Sequence, residues 1–445
     1  MKMSGFQLVS LCIFAVLILM GVGAFATFGG IKNSNQVGKV VIWGTIDAGV
    51  MDKTLTGIRQ QDSSLRDVSY VYKDPRTYST DVVNAMASGN GPDLLMISQD
   101  QVASFTNKIG VIPYSAISQQ TFVDAYIYEA QQLFLTKDGA LALPYTIDPL
   151  VMYYNKDLLS GAGFASPPQY WNDLLTMAPK LTQLDANSNV VKSAVAMGGW
   201  SNVLYAKDIL AALFMQAGDP IVTRNATTGA PTPVLGTVQS TDPNSTENPA
   251  TSALQFYTEF ANPTKTTYSW NRSLPSSQDD FVAGDLALYF GLASDYPTIQ
   301  SRNPNLHFGV AQLPQIQGTG IKMTFGQLTG LAIPRTTPNP AGAMLAAEKL
   351  TSLAGITSIA ASTNLPSVRS DIQVDTSKDA AQSVFASSAL ISRGWLDPDP
   401  AQTDTEFQSM IESVTSSSAD PSAAIFNTEQ LLQTLLHTNS VQTTP

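Results

Sequence analysis

Residues 142–159 read ALPYTIDPLVMYYNKDLL, and the rest of the chain can be interpreted as the segments on either side of them. Pro144 and Pro149 predict an extended first half, because proline cannot lie inside a helix. The second half begins apolar and β-rich and becomes polar at residues 155–157. Burial of the Asp148 carboxylate would be costly without a partner. From the spacing alone, two interpretations of Asp148 stay open: a loop aspartate that caps a turn, or a functional carboxylate.

The pattern LPYxxDxxxxYYNKDLL is followed by PPQYWNDL at residues 167–174. Together these motifs resemble the family 1 extracellular solute-binding proteins, which are the sugar-binding receptors of ABC importers. The resemblance implies that the stretch is the first crossing between two lobes and that Asp148 faces a ligand cleft. It extends over essentially all of residues 39–436.

Composition and charge exclude several classes of function. The chain has 445 residues, enough for two or three domains, and a net charge of −11. Without clustered Lys and Arg, this charge argues against nucleic-acid binding. The single cysteine, Cys12, excludes an intrachain disulfide and a Cys-based zinc site. His307 and His437 are too isolated to indicate metal ligation, so we expect no metal and no cofactor.

The first residues predict a membrane segment. Residues 8–28 are uncharged and long enough to span a bilayer, which needs about 20 apolar residues. The run exceeds the usual signal-peptide core of about 7–15 residues, although Ala24-Phe25-Ala26 is an A-x-A cleavage site. Most of the apolar run lies after Cys12, so a lipoprotein cysteine is not indicated. We expect an uncleaved anchor, with secretion after cleavage behind Ala26 as the alternative. Both place the chain from about residue 32 outside the cytoplasm.

The chain beyond the anchor alternates between strand and helix patterns. Apolar, β-rich runs at residues 39–43, 68–72 and 94–97 are separated by helical patterns. Such alternation predicts βαβ units and a mostly parallel sheet, in which ligands bind beyond the carboxyl ends of the strands. With the resemblance, we predict an α/β, two-lobed, periplasmic-binding-protein-like fold with mostly parallel sheets, preceded by one N-terminal transmembrane helix.

The resemblance also divides the chain into segments. FVAGDLALYFG at residues 281–291 resembles an element of the family, and HFGVAQLP at residues 307–314 resembles its second crossing. The implied organisation is an anchor or signal at 1–31, lobe 1 at 39–147, lobe 2 at 148–310, lobe 1 again at 311–338, and a helical second part of lobe 2 at 339–445.

A sugar needs carboxylates and amides for its hydroxyls, and flat aromatic rings for its C–H faces. The resemblance, and not spacing alone, brings such residues together. The candidate ligand-binding residues are Trp43, Asp47, Asp100, Tyr145, Asp148, Trp200, Ser294, Asp295, Gln327 and Trp395. Trp200 comes after two glycines, so it is either an exposed platform or a core tryptophan. A maltodextrin-binding member of the resembled family has stacking tryptophans at the positions of Ile97 and near Ser294, and their absence here argues against a maltodextrin.

The resemblance implies a solute-binding protein, and not an enzyme, that captures a carbohydrate and delivers it to the permease subunits of an ABC transporter. With the anchor predicted from the uncharged run, we expect a monomer held at the membrane. An anchored glycoside hydrolase is one alternative, because paired carboxylates would serve as its acid and base. A carbohydrate sensor or adhesin without a transport role is another. The sequence contains no G-x-S-x-G, H-E-x-x-H or Walker loop.

Mass spectrometry of the native N-terminus tests the anchor. We expect a chain that retains residues 1–26, because the uncharged run is of spanning length. A mature chain that begins at Thr27 would show cleavage and contradict the prediction.

Overall fold

The structure is a computed structural model that describes residues 37–225, 229–237, 248–318, 320, 322–372 and 379–441. The predicted anchor, residues 1–31, lies outside these residues. Across the described ranges, no helix is long and apolar enough to cross a membrane.

Helices and strands alternate along the whole described chain. The strands are β1 Val40–Gly44, β2 Val68–Tyr72, β3 Leu94–Ser98, β4 Ile112–Pro113, β5 Leu135–Thr136, β6 Gly139–Ala140, β7 Leu143–Asn155, β8 Gln183–Leu184, β9 Val190–Val195, β10 Val222–Arg224, β11 Pro231–Pro233, β12 Leu286–Leu292, β13 Phe308–Gln312, β14 Thr324–Ala332 and β15 Ser392–Arg393. The α-helices are α1 Ala48–Gln61, α2 Tyr78–Ala87, α3 Val102–Phe105, α4 Gln119–Ala125, α5 Tyr128–Phe134, α6 Lys156–Gly161, α7 Trp171–Leu181, α8 Ala206–Gln216, α9 Pro249–Glu259, α10 Ser277–Ala283, α11 Tyr296–Arg302, α12 Pro340–Leu350, α13 Leu353–Thr363, α14 Ala380–Leu390, α15 Pro400–Thr415 and α16 Pro421–Val441. Short 3-10 turns lie at Ser63–Leu65, Gln99–Gln101 and Ala293–Asp295.

The long strand β7 joins two parts of one sheet, whose order is β2-β1-β3-β14-β7-β12-β9-β8. As far as Pro149, β7 pairs with β14, and from Leu150 it pairs with β12 and β13. We call the part around β1, β2, β3, β14 and the first half of β7 lobe 1. The part around the second half of β7, β8, β9, β12 and β13 is lobe 2. The strand therefore passes from lobe 1 to lobe 2 within one sheet.

Asp148 lies within β7, opposite Gln327 of β14. It does not cap a turn, which removes the first interpretation of this residue. Because paired residues of antiparallel strands point to the same face, the two side chains share one face of the sheet.

The sheet is mixed, so the prediction of mostly parallel sheets is wrong. β1 pairs in parallel with β2 and β3, as βαβ alternation predicts, and β12 pairs in parallel with β9. However, β7 is antiparallel to β12, β13 and β14, and β14 is antiparallel to β3. Strands β7, β12, β13 and β14 are not successive strands of βαβ units, whose helical crossover makes neighbouring strands parallel. They can therefore pair in antiparallel fashion.

Burial holds the second half of β7 against lobe 2. Tyr153 of β7 stacks on Tyr289 of β12 with 5.7 Å between ring centroids. The ring of Phe308 packs against Tyr153, and that of Phe281 packs against Tyr289. All but two residues of β7, Asp148 and Tyr154, are buried. This explains the nearly continuous apolar run, which is typical of a strand covered on both faces.

Two helices that follow the predicted boundary at residue 339 contact lobe 1. Helix α13 packs along α1, Lys349 at the end of α12 forms an ion pair with Asp62, and Ser358 Oγ donates to Thr54 O at 3.3 Å. These contacts place α12 and α13 on lobe 1. From α14 onward, the helices pack on β7, β13, α8 and α9 of lobe 2.

Candidate functional site

A cleft of about 580 Å³ lies between the two lobes. Its volume is within the range of about 300–1,000 Å³ that is usual for small-molecule sites. Lobe 1 lines it with Thr45, Ser98, Gln99, Asp100, Phe325, Gln327 and Thr329. On the other side it is lined by Trp200, Ser201, Val203, Leu204, Tyr205, Ala206, Lys207, Asp208, Trp395, Asp397, Pro400 and Asp404.

The lobe 1 wall is built at the carboxyl ends of β1 and β3, where ligands of α/β sheets bind. Asp100 lies in the 3-10 turn after β3, and the Ser98 hydroxyl donates a hydrogen bond to its carboxylate. The same turn is tied to β14, because Leu328 N donates to Gln99 Oε1 at 3.1 Å. Asp100 thus lies in the cleft, at the strand end where the sequence placed it.

The loop before α8 carries Trp200 on the lobe 2 side. Gly198 adopts a φ of +88°, and a Cβ at this position would lie 2.7 Å from Ala261 Cβ, so the turn requires glycine. Trp270 is fully buried and donates from Nε1 to Oδ1 of Asn202, a residue of this loop, at 3.0 Å. Trp200 itself is half-buried and lines the cleft. Its use as a platform stays a prediction, while Trp270 fills the core.

Lys207 opens the first turn of α8 and is neutralised within the protein. Its Nζ lies 2.7 Å from each of three acceptors, on Asp397, Thr403 and Asp404. Burial alone would lower the pKa of Lys207, but Asp397 and Asp404 outweigh this effect and raise it. Burial raises the pKa of Asp397 to about 6, against the opposing effect of Lys207. An ammonium group has three protons, so these contacts use all of its donors.

Asp208, the next residue, bonds across the cleft. Gln327 Nε2 on β14 of lobe 1 donates to Asp208 Oδ2 at 3.0 Å. Burial raises the pKa of Asp208 to about 7, the hydrogen bond from Gln327 and the charge of Lys207 oppose this rise, and the charges of Asp100 and Asp404 add to it. The two lobes therefore meet at a direct polar contact inside the cleft.

Asp148 lies at the crossing and does not line the cleft. Its Oδ1 accepts a hydrogen bond of 3.1 Å from the backbone N–H of Ser294, whose side chain is exposed. Burial raises the pKa of Asp148 to about 7, and the hydrogen bond from Ser294 opposes the rise. Asp148 and Ser294 thus connect β7 to the 3-10 turn after β12.

Four further candidate residues lie outside the lining of the cleft. Asp47 caps α1 by accepting from Gly49 N at 2.8 Å and Val50 N at 3.1 Å. The ring of Trp43 is covered by Lys73 Nζ at 3.7 Å from its centroid. Each of these two side chains is thus used within lobe 1.

Tyr145 is only 1% exposed, because both faces of β7 are covered. Asp295 is buried and accepts from the hydroxyls of Tyr289 at 2.7 Å and Tyr205 at 3.2 Å. Tyr205 lines the cleft with an unusual φ of 60°, so Asp295 positions a cleft residue without lining the cleft itself.

Trp395 lines the cleft but offers little surface. It is 4% exposed, and its indole stacks on Phe407 with 5.9 Å between centroids. Sequence reasoning missed Lys207, Asp208, Asp397 and Asp404. A usable signal for the first two was their place directly after the loop of Trp200, where a helix begins at the mouth of the cleft.

Comparison with known proteins finds relatives over most of the chain. Residues 66–355 match the family model described as bacterial extracellular solute-binding protein. A segment of 49 residues is 43% identical to a probable ABC transporter-binding protein of Deinococcus radiodurans. That match covers 11% of this chain and 12% of the relative, so this chain is matched to only a small part of that protein.

Solved structures resemble the chain along almost its full length. A solute-binding protein of Thermotoga lettingae, bound to α-D-tagatose, is 19% identical with a TM-score of 0.65, over 90% of this chain and 100% of that one. The GacH receptor of Streptomyces glaucescens, solved unliganded and with acarbose, is 17% identical with a TM-score of 0.67, over 90% and 98%. A cyclic α-maltosyl-1,6-maltose binding protein from Arthrobacter globiformis is 17% identical with a TM-score of 0.71, over 89% and 98%. At these identities the likeness establishes the two-lobed fold.

Acidification should stabilise the ligand-free protein through carboxyl groups whose pKa values are raised by partial or full burial. The pKa values of Asp148 and Asp208 are raised to about 7 and that of Asp397 to about 6, above the unfolded value of about 3.9. The folded state therefore binds these protons more tightly. This contribution is fully present below the unfolded pKa and is lost as the pH rises through about 6 to 7.

Differential scanning fluorimetry at about pH 8 and about pH 5.5 measures this effect, and the Tm should be higher at the lower pH. Asp62, whose pKa is lowered to about 2, titrates outside this window. Asp208→Asn should show a smaller gain, whereas Asp138→Asn, an exposed site between β5 and β6, should respond like the wild type. The same gain in Asp208→Asn as in the wild type would contradict the assignment.

Proposed function

We propose that this chain, which belongs to the bacterial extracellular solute-binding proteins, captures a neutral carbohydrate in the cleft between its two lobes. The observation that carries the proposal is the pairing of functional groups on the two walls. Trp200 offers a partly exposed indole, and Asp100 and Asp208 offer carboxylate acceptors, within one cleft. Aromatic faces and hydrogen-bonding carboxylates are the two kinds of partner that a sugar ring needs.

The charge balance of the cleft favours a neutral ligand over an anion. Lys207, the cation in the lining, already binds Asp397, Thr403 and Asp404 with its three protons. Asp100 and Asp208 would repel a phosphate or carboxylate ligand, while they can accept hydrogen bonds from hydroxyls. The names of the similar structures point the same way, since those proteins are described with tagatose, acarbose and a cyclic maltosyl-maltose.

The crossing supports binding by lobe closure, the usual motion of periplasmic binding proteins. Strand β7 passes from one lobe to the other between Pro149 and Leu150, and Asp148 lies directly before this point. Its carboxylate accepts a hydrogen bond from the backbone N–H of Ser294, in the 3-10 turn that follows β12 of lobe 2. We infer that Asp148, which lies outside the cleft lining, couples binding to lobe closure at this pivot.

Delivery of the bound sugar to ABC permease subunits is part of the proposal, with the chain acting as a monomer outside the cytoplasm. The family and the short match to a probable ABC transporter-binding protein support this role. Retention at the membrane through residues 1–31 is inferred from the uncharged run in the sequence. A glycoside hydrolase is less well supported, because Asp397 and Asp404 are both bonded to Lys207 and Asp208 is bonded to Gln327.

Isothermal titration of the purified full chain tests the proposed function. The neutral probes are D-tagatose, acarbose and maltotriose, and the anionic probes are glucose 6-phosphate and D-glucuronate. We expect saturable binding of at least one neutral probe, which remains intact on recovery. Binding confined to the anions would refute the proposal, and recovery of cleaved oligosaccharide would favour the hydrolase.

Because Asp148 lies outside the cleft lining, Asp148→Asn should act through lobe closure and weaken binding of that neutral probe by about 10-fold, the low end of what loss of a charged hydrogen bond costs. Asparagine keeps the shape and can still accept from Ser294 N, so the ligand-free melting temperature should not fall. Titration of wild type, Asp148→Asn and Asp138→Asn, with a melt of each, checks both points. Unchanged affinity, or a large drop in melting temperature, would make Asp148 a structural residue.

A further inference from the structure

We propose that a second cavity of this protein, outside the cleft, binds a small organic anion that consists of a carboxylate group on an apolar body. The second cavity has a volume of about 540 Å³ and is lined mainly by residues of α5, of β10 and of the segment 393–396. Trp395 lines both this cavity and the cleft. The inference goes beyond the proposed function, because it concerns a different ligand at a different place.

Two half-buried arginines supply the positive charge of the second cavity. Arg393, at the end of β15, donates from Nη1 to Ser392 O at 2.7 Å, and its guanidinium lies 4.3 Å from the ring centroid of Tyr128. Arg224, at the end of β10, has a buried Nε without a hydrogen-bond partner among the described residues. Neither guanidinium forms an ion pair within those residues. Removal of a charge from water is costly unless an opposite charge lies close to it, so an incoming anion would be stabilised here.

Glu129, the acidic residue in the lining, does not balance this positive charge. It is 1% exposed, and neither of its carboxyl oxygens has a hydrogen-bond partner in the part of the chain that the structure describes. A buried carboxyl without a partner is stable in its neutral form. Burial accordingly raises the pKa of Glu129 well above its ordinary value, although the charge of Arg393 opposes the rise. The cavity therefore keeps a net positive charge, and the protonated carboxyl offers one O–H donor to a ligand.

The remainder of the second cavity suits an apolar body. Buried apolar side chains line it from α5, α8, β10 and the segment after β15, namely Leu133, Met215, Val222 and Leu396. The volume lies in the range of about 300–1,000 Å³ that is usual for small-molecule sites. An inorganic oxyanion would contact only the polar part of the lining. An organic carboxylate would in addition remove apolar surface from water, which is favourable.

The second cavity and the cleft differ in the charge that they accept. In the cleft, Lys207 is held by acceptors on its own side at 2.7 Å each, and Asp100 and Asp208 would repel an anion. In the second cavity, the two arginines have N–H groups left for an anion, since a guanidinium has five donors. We therefore expect the organic anion and a neutral sugar to occupy separate sites.

Isothermal titration of the purified full chain with sodium hexanoate, inorganic phosphate and hexan-1-ol tests the inference. Phosphate has the charge without the apolar body, and hexan-1-ol has the apolar body without the charge. We expect saturable binding of hexanoate, with phosphate and hexan-1-ol each bound at least about 10-fold more weakly.

Substitutions locate the site. Arg224→Gln and Arg393→Gln should each weaken hexanoate binding about 10- to 100-fold, because each removes a charged hydrogen-bond donor. Glu129→Gln keeps a neutral group of the same shape, so its affinity for hexanoate should stay within about 3-fold of the wild type. Arg66→Gln, at an exposed arginine outside the second cavity, is the matched control for loss of one positive charge. Melting temperatures near that of the wild type establish that each variant folds.

Absence of hexanoate binding to the wild type, or phosphate or hexan-1-ol bound as tightly as hexanoate, would overturn the inference without any variant. Unchanged hexanoate affinity in folded Arg224→Gln and Arg393→Gln would also overturn it, as would a gain of more than about 10-fold in Glu129→Gln, which would mean that Glu129 is ionised. Both arginine variants should bind the neutral sugar within about 2-fold of the wild type. Failure of this inference is therefore distinguishable from failure of the proposed function, which the sugar titration alone decides.

Discussion

Strand β7 pairs with strands of both lobes, and the rest of the structure depends on this constraint. Up to Pro149 the strand pairs with β14 of lobe 1, and from Leu150 it pairs with β12 and β13 of lobe 2. The pairing sets Asp148 opposite Gln327 and Met152 opposite Phe290, and a slip by one residue would turn every side chain to the opposite face. The carboxyl ends of β1 and β3 and the start of α8 then face each other across one gap. The cleft therefore results from the pairing of β7 with strands of both lobes.

The polar groups in that gap are organised in two different ways. Lys207 is saturated by Asp397, Asp404 and Thr403, so this cluster is closed and shapes the wall. Asp208 and Gln327 make a single bond and keep further acceptors and a donor that face the cleft. Lys207 and Asp208 are neighbours in one helix turn but differ in role. All hydrogen-bond donors of Lys207 have partners on its own side of the cleft, whereas Asp208 bonds to Gln327 of lobe 1.

Particular residues show how far the sequence could lead. Four predicted residues line the cleft: Asp100, Trp200, Gln327 and Trp395. The end of a strand marks Asp100 and a glycine turn marks Trp200, whereas Gln327 and Trp395 were predicted from the resemblance. Tyr145 was misplaced, since an apolar run in a strand does not reveal whether a tyrosine points into the core. The direction of β14 was equally hidden, because buried parallel and antiparallel strands have the same composition. Lys207 meets Asp397 and Asp404 across 190 and 197 positions of sequence, and no local pattern encodes such a contact.

A crystal structure of the full chain with a bound neutral sugar would show directly whether the cleft between the lobes is the binding site. We expect the sugar ring to lie against the indole of Trp200, with its hydroxyls on Asp100, Asp208 and Gln327, and both lobes in contact with it. A second cavity of about 540 Å³, lined by Tyr128, Gln132 and Arg393, also borders Trp395. Sugar bound in that second cavity, or on the surface of one lobe alone, would contradict capture between the lobes.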